Sequence, residues 1–116
     1  MPTILVVEDE FLIRAMLSEK LQDAGFKVLE ASTGEEAVTI LEQVDSIELV
    51  LTDVRMPGSI DGFALAKWIA VHRSAMPVIV VSGHANEADI IPGQAFFRKP
   101  YDVEKLAGYI HQKLGL

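Results

Sequence analysis

Ile4-Leu5-Val6-Val7-Glu8-Asp9-Glu10 is the stretch from which the fold is read. Four consecutive apolar residues break directly into three acids. A strand with one wet face would alternate apolar and polar residues. An unbroken apolar run of strand length instead predicts a strand covered on both faces, as in a parallel sheet. From about Glu10 the period changes: Ile13, Leu17, Leu21 and Ala24 share one helical face, and Gly25 stops the helix.

The same alternation continues outward. Phe26 to Glu30 reads as a second strand. Thr33-Gly34-Glu35-Glu36 has capping-box spacing before a helix carrying Ala37, Ile40, Leu41 and Val44. Ile47 to Thr52 is a third strand ending at Asp53, and Pro57-Gly58-Ser59 breaks the chain before a helix with Leu65, Trp68 and Ile69. Val78 to Val81 and Ala95 to Arg98 read as strands four and five. Asp102 can cap a last helix whose face is Val103, Leu106, Ala107, Ile110 and Leu114. Between strands four and five only about Ala85 to Ile91 could be helical before Pro92-Gly93, which predicts a shortened or irregular fourth helix. The expected fold is α/β, a (βα)5 doubly wound five-stranded parallel sheet in one domain spanning 1–116.

Composition narrows the function. The 116 residues suit one core, half of them are hydrophobic, and a folded globule follows. A net charge of −7 argues against general binding to nucleic acid or anionic lipid. No apolar run is long enough for a membrane span, and Met1-Pro2-Thr3 enters the first strand without a basic leader, so neither membrane nor secretion is expected. The chain has no cysteine, which removes disulfides and thiolate metal sites and fits a cytoplasmic location.

In an open parallel sheet, ligands sit beyond the carboxyl ends of the strands. There this chain places Glu8, Asp9 and Glu10 after strand one, Asp53 after strand three, Ser82 after strand four, and Lys99-Pro100 after strand five. Each alone has a plain explanation: acids favour a helix start, Asp53 or Ser82 could cap a turn, and a single lysine is usually solvated. Four strand ends supplying complementary groups favour a common site. Clustered carboxylates repel unless protonated or bridged by a cation, and hard oxygen donors suit Mg2+, with Mn2+ as the alternative. A carboxylate beside Mg2+ and a lysine is a nucleophile for phosphoryl transfer.

These residues also carry a resemblance. Val6-Val7-Glu8-Asp9, Leu51-Thr52-Asp53-Val54-Arg55-Met56-Pro57 with Asp61-Gly62, Val80-Val81-Ser82-Gly83 and Phe97-Arg98-Lys99-Pro100 together resemble the receiver domain of two-component response regulators, over essentially the whole chain. The resemblance implies the flavodoxin-like strand order 2-1-3-4-5 and a stand-alone signalling switch without an output domain, catalysing only its own phosphorylation and dephosphorylation. It assigns Asp53 as phosphoacceptor, Glu8, Asp9, Asp53 and the Arg55 backbone carbonyl as Mg2+ ligands, and Lys99 as the phosphate-pairing lysine. It makes Ser82 and Phe96 the switch pair and the Lys99-Pro100 bond cis. Arg55 and His84 fall where residues influence acyl-phosphate lifetime; here they either tune it or are solvated rim residues.

The implied donor is a phosphohistidine on a sensor histidine kinase or histidine phosphotransfer protein, docking near the first helix, where Phe11, Leu12 and Met16 could supply an apolar contact. A downstream protein target follows, with the chain a monomer or a phosphorylation-dependent dimer. Two departures stand out: the Met56 to Gly62 loop is one residue longer than the commonest form, and the Ser82 to Lys99 span is short by about a turn or more of helix.

Three rivals share the architecture. A flavin protein would need a Ser/Thr/Gly-rich phosphate loop where this chain has Glu8-Asp9-Glu10. An aspartate-nucleophile phosphatase would carry paired aspartates after strand one and a separate cap. A pseudo-receiver, binding protein without being phosphorylated, has the same fold but no need of Glu8, Asp9, Asp53, Ser82 and Lys99 together.

Overall fold

The computed structural model describes residues 1–83 and 94–116. Five strands, β1 (Thr3–Val7), β2 (Lys27–Ala31), β3 (Ile47–Asp53), β4 (Val78–Ser82) and β5 (Ala95–Arg98), form one sheet in the order β2-β1-β3-β4-β5, every pair parallel. Helices α1 (Phe11–Asp23), α2 (Gly34–Gln43) and α3 (Gly62–His72) connect the first four strands, and α4 (Val103–Lys113) follows β5. The expected doubly wound parallel sheet with order 2-1-3-4-5 is present. The short helix expected over Ala85–Ile91 lies outside the described residues, as does His84.

Side-chain alternation within each strand builds two cores. Leu5 and Val7 of β1, Val50 of β3 and Val78 and Val80 of β4 pack with Ala37 and Leu41 of α2 and Leu65, Ala66 and Ile69 of α3. Ile4, Val6, Leu49, Leu51, Ile79 and Val81 turn the other way, onto Leu17 and Leu21 of α1 and Leu106, Ala107 and Ile110 of α4. This is why Ile4 to Val7 and Val78 to Val81 read as unbroken apolar runs: every residue of β1 and β4 is buried.

The second strand begins one residue later than the sequence suggests, and the end of α1 explains it. Gly25 adopts φ +99°, its N–H reaches the Gln22 carbonyl, and the Phe26 N–H reaches back to the Leu21 carbonyl at 3.1 Å. Phe26 is therefore spent on terminating the helix, its ring fully buried against the α1–α4 layer. At α2, the Thr33 hydroxyl accepts from the Glu36 N–H (3.0 Å), but the returning Glu36 carboxylate accepts from Ser32 rather than Thr33 (3.3 Å). Asp61 and Asp102 cap α3 and α4 by accepting from the Ala64 and Glu104 N–H groups, each at 2.8 Å.

Candidate metal and phosphoryl site

Strand register brings the chemistry together. Val7 pairs with Thr52, Asp53 with Val81, and Ser82 with Arg98, so the residues at the carboxyl ends of the four adjacent strands lie at one level. The Lys99 N–H bonds to the Ser82 carbonyl (3.0 Å), continuing the ladder just past β5. From there the Lys99 ammonium reaches Asp53 Oδ2 at 3.2 Å and Glu8 Oε1 at 3.6 Å. Asp53 Oδ1 accepts from the Val54 N–H at 2.8 Å, so both carboxylate oxygens are oriented. Glu8, Asp9 and Asp53 each offer an oxygen, and these oxygens lie within 4.8 Å of one another.

Exposure differs sharply among the three acids. Glu8 is buried, Asp53 half-buried and Asp9 exposed. Burial pushes the Glu8 carboxyl up from 4.5 to about 7. The Glu10 N–H bonded to Glu8 Oε2 works against this, as does Lys99, while a hydrogen bond with Asp9 and the Asp53 charge add to the rise. Tyr101, just beyond the cis Lys99–Pro100 peptide, is pushed up to about 12, first by burial and then by the negative charge of Glu8 and Asp53. Its phenol thus stays neutral beside the acids.

One ammonium against three carboxylates leaves net negative charge in a partly buried place, which a small cation would relieve. The donor set fits Mg2+: all oxygen, all carboxylate, and already grouped on a scale close to the separation of about 4 Å between opposite ligands of an octahedral ion. Once bound, such an ion would neutralise charge developing on a phosphoryl group.

The family model for the response regulator receiver domain matches residues 4–111. The chain belongs to this family. Among curated relatives of the receiver, the transcriptional regulatory protein AruR of Pseudomonas aeruginosa is 38% identical over 79% of this chain and 38% of its own length. The sensor kinase CckA of Brucella abortus is 34% identical over 97% of this chain and 12% of its own length. The chain thus spans less than half the length of these relatives. Among solved structures, the receiver domain of a hybrid histidine kinase CckA superposes with TM-score 0.82 at 39% identity, covering 97% of this chain and 98% of that one. A CheY-like receiver from Methanospirillum hungatei gives TM-score 0.90 at 27% identity over 99% and 94%. Receivers are signalling switches of two-component systems. Phosphorylation and an acidic Mg2+ pocket are typical of them, and they interact with histidine kinases or phosphotransfer proteins. No helix among the described residues is long and apolar enough to cross a membrane.

In this receiver, Glu8, Asp9, Asp53, Ser82 and Lys99 gather at one end of the sheet. Phe96 is half-buried on the α2–α3 side, with the Arg98 guanidinium 5.6 Å from its ring centre. Arg55 lies exposed two residues past β3, and among the described residues its side chain makes no ion pair. Reading the sequence alone passes over Tyr101 and Arg14. Tyr101 could have been found from its place two residues after Lys99. For Arg14 the hint was a lone cation in the early turns of α1, close to three acids.

The loop that returns from Asp53 is tightly closed. The Gly62 N–H donates to the Val54 carbonyl at 2.8 Å, and a methyl on Gly62 would overlap the Asp53 carbonyl and the Val54 Cα. Gly62 is therefore required by close backbone approach at the first residue of α3.

Proposed function

We propose that this receiver accepts a phosphoryl group on Asp53 from a phosphohistidine of a sensor kinase or histidine phosphotransfer protein. Glu8, Asp9 and Asp53 carboxylates and the Arg55 carbonyl hold Mg2+, or Mn2+ in its place. The observation that carries this is the setting of Asp53, with an oriented carboxylate, Lys99 at 3.2 Å and two further acids within 4.8 Å. A carboxylate oxygen attacks phosphorus, the P–N bond breaks, and its electron pair goes to the imidazole. Lys99 then exchanges its carboxylate contact for the phosphoryl oxygens, and the Ser82 hydroxyl donates to one of them. The half-buried ring of Phe96, on the strand next to Ser82, follows that movement.

We infer a single receiver domain working in the cytoplasm toward a downstream protein. The family match across most of the chain, the single sheet and the net charge of −7, which disfavours nucleic acid and anionic membranes, support that reading.

Incubation with acetyl phosphate, followed by intact-mass measurement, tests the chemistry. A phosphoryl adduct is expected in the wild type with Mg2+, and none without the metal or in Asp53→Asn. A wild type that gains no adduct and gives no Mg2+-dependent response to beryllium fluoride would instead be a pseudo-receiver.

A further inference from the structure

Glu8, Asp9 and Glu10 are three like charges on the short connection from β1 to α1, and something must keep them from spreading. N-capping does not: Glu10, at the N-cap of α1, makes no side-chain capping bond. Three other restraints hold the connection. The Glu8 N–H donates to the Ala31 carbonyl (3.0 Å), and the Glu10 N–H donates to Glu8 Oε2 (3.1 Å). The third restraint is Arg14, whose Nη1 donates to the Glu8 carbonyl at 2.7 Å. Its Nε donates to Glu30 Oε1 on β2 at 3.0 Å, and its guanidinium lies 5.5 Å from the Phe11 ring centre.

We propose that Arg14 is a positioning residue for the Glu8–Asp9 pair, itself aimed by Glu30. The proposal rests on the reading that these acids hold Mg2+. The Arg14 side chain is only 15% exposed and bonded in two directions, so it pins the Glu8 carbonyl to the neighbouring strand. A guanidinium can do this because its donors diverge in a rigid plane; an ammonium at the same place keeps the charge and loses the fork.

Sign separates positioning from charge. A cation near a cation site repels Mg2+, so if charge were all that mattered, removing Arg14 would tighten Mg2+ binding. Positioning requires the opposite. Residues that orient metal ligands from behind typically change affinity by about tenfold or more.

The test uses Arg14→Ala, Arg14→Lys and Glu30→Gln, with Mg2+ affinity measured by calorimetry. Hydrogen exchange of the Asp9 and Glu10 amides is followed in metal-free protein, with the β1 amides as the control for global stability. Both Arg14 variants should weaken Mg2+ binding by about tenfold, with Glu30→Gln weaker in the same direction. Glu10 exchange should accelerate more than exchange in β1. Unchanged Glu10 exchange overturns the inference whatever Mg2+ does, and so does faster exchange with unchanged or tighter Mg2+ binding. Arg14→Lys binding Mg2+ as well as wild type would likewise overturn it, because the divergent donors of the guanidinium would then not be needed. If the wild type binds no Mg2+, the metal reading fails on that measurement alone, while the exchange data still decide whether Arg14 restrains the connection.

Discussion

Glu8→Gln should flatten a pH dependence that the buried carboxyl imposes on the metal-free protein. Burial holds the Glu8 carboxyl at about 7 in the folded chain against 4.5 for the ordinary group. Below pH 4.5 it is protonated in both states and costs nothing. Between 4.5 and 7 the unfolded chain releases the proton while the folded chain retains it, so stability falls as pH rises. Above 7 both states are ionised and the loss is complete, at about 3 kcal/mol. For a chain of this size that corresponds to roughly 10 °C in Tm. Glutamine keeps the shape and the acceptor for the Glu10 N–H but carries no charge. Urea unfolding of both proteins in chelator, from pH 5 to 8, gives the measurement. The difference between them should grow with pH in favour of Glu8→Gln and level off above 7. Saturating Mg2+ should cancel it, because the ion binds the ionised carboxylate. A difference that stays flat from pH 5 to 8 would falsify the claim that Glu8 is held protonated by burial.

Three further outcomes follow from the same geometry. Mg2+ at ten times its dissociation constant should stabilise the wild type by about 1.4 kcal/mol; a Tm unmoved at millimolar Mg2+ would sink the metal site. Asp53→Asn should raise the metal-free Tm by relieving repulsion among the acids and should shrink the Mg2+ response; a lower Tm would mean that the bond to Lys99 outweighs that repulsion. Gly62→Ala should cost about 1–3 kcal/mol in thermal or urea unfolding because its methyl meets the Asp53 carbonyl and Val54 Cα, and an unaffected midpoint would show that the loop yields freely.

The architecture was legible because burial leaves a plain mark. Ile4 to Val7 and Val78 to Val81 lack polar residues for the reason the structure shows, two helical layers over one sheet. The site was legible for a related reason: in a parallel sheet every strand points its carboxyl end the same way, so residues distant in sequence, such as Glu8 and Lys99, meet at one edge. Phe26 is not legible as a helix terminator because its side chain suits a strand equally well, and only the backbone bond to Leu21 reveals its part in ending the helix. Arg14 and the upward shift of the Glu8 carboxyl were hidden for another reason. Both depend on how deeply a side chain sits and which carbonyl it meets, and neither quantity has a period or a spacing.

The opposed directions of Leu5 and Val6 have a consequence for how such a chain can change. The sheet is a partition, and a side chain on one side cannot refill a void on the other. Substitutions beneath α1 and α4 must therefore be compensated beneath α1 and α4, and those beneath α2 and α3 among themselves. The two flanks can thus drift independently and acquire different binding partners over time. The residues at the carboxyl edge, anchored to strands that serve both flanks, are the ones that cannot follow either.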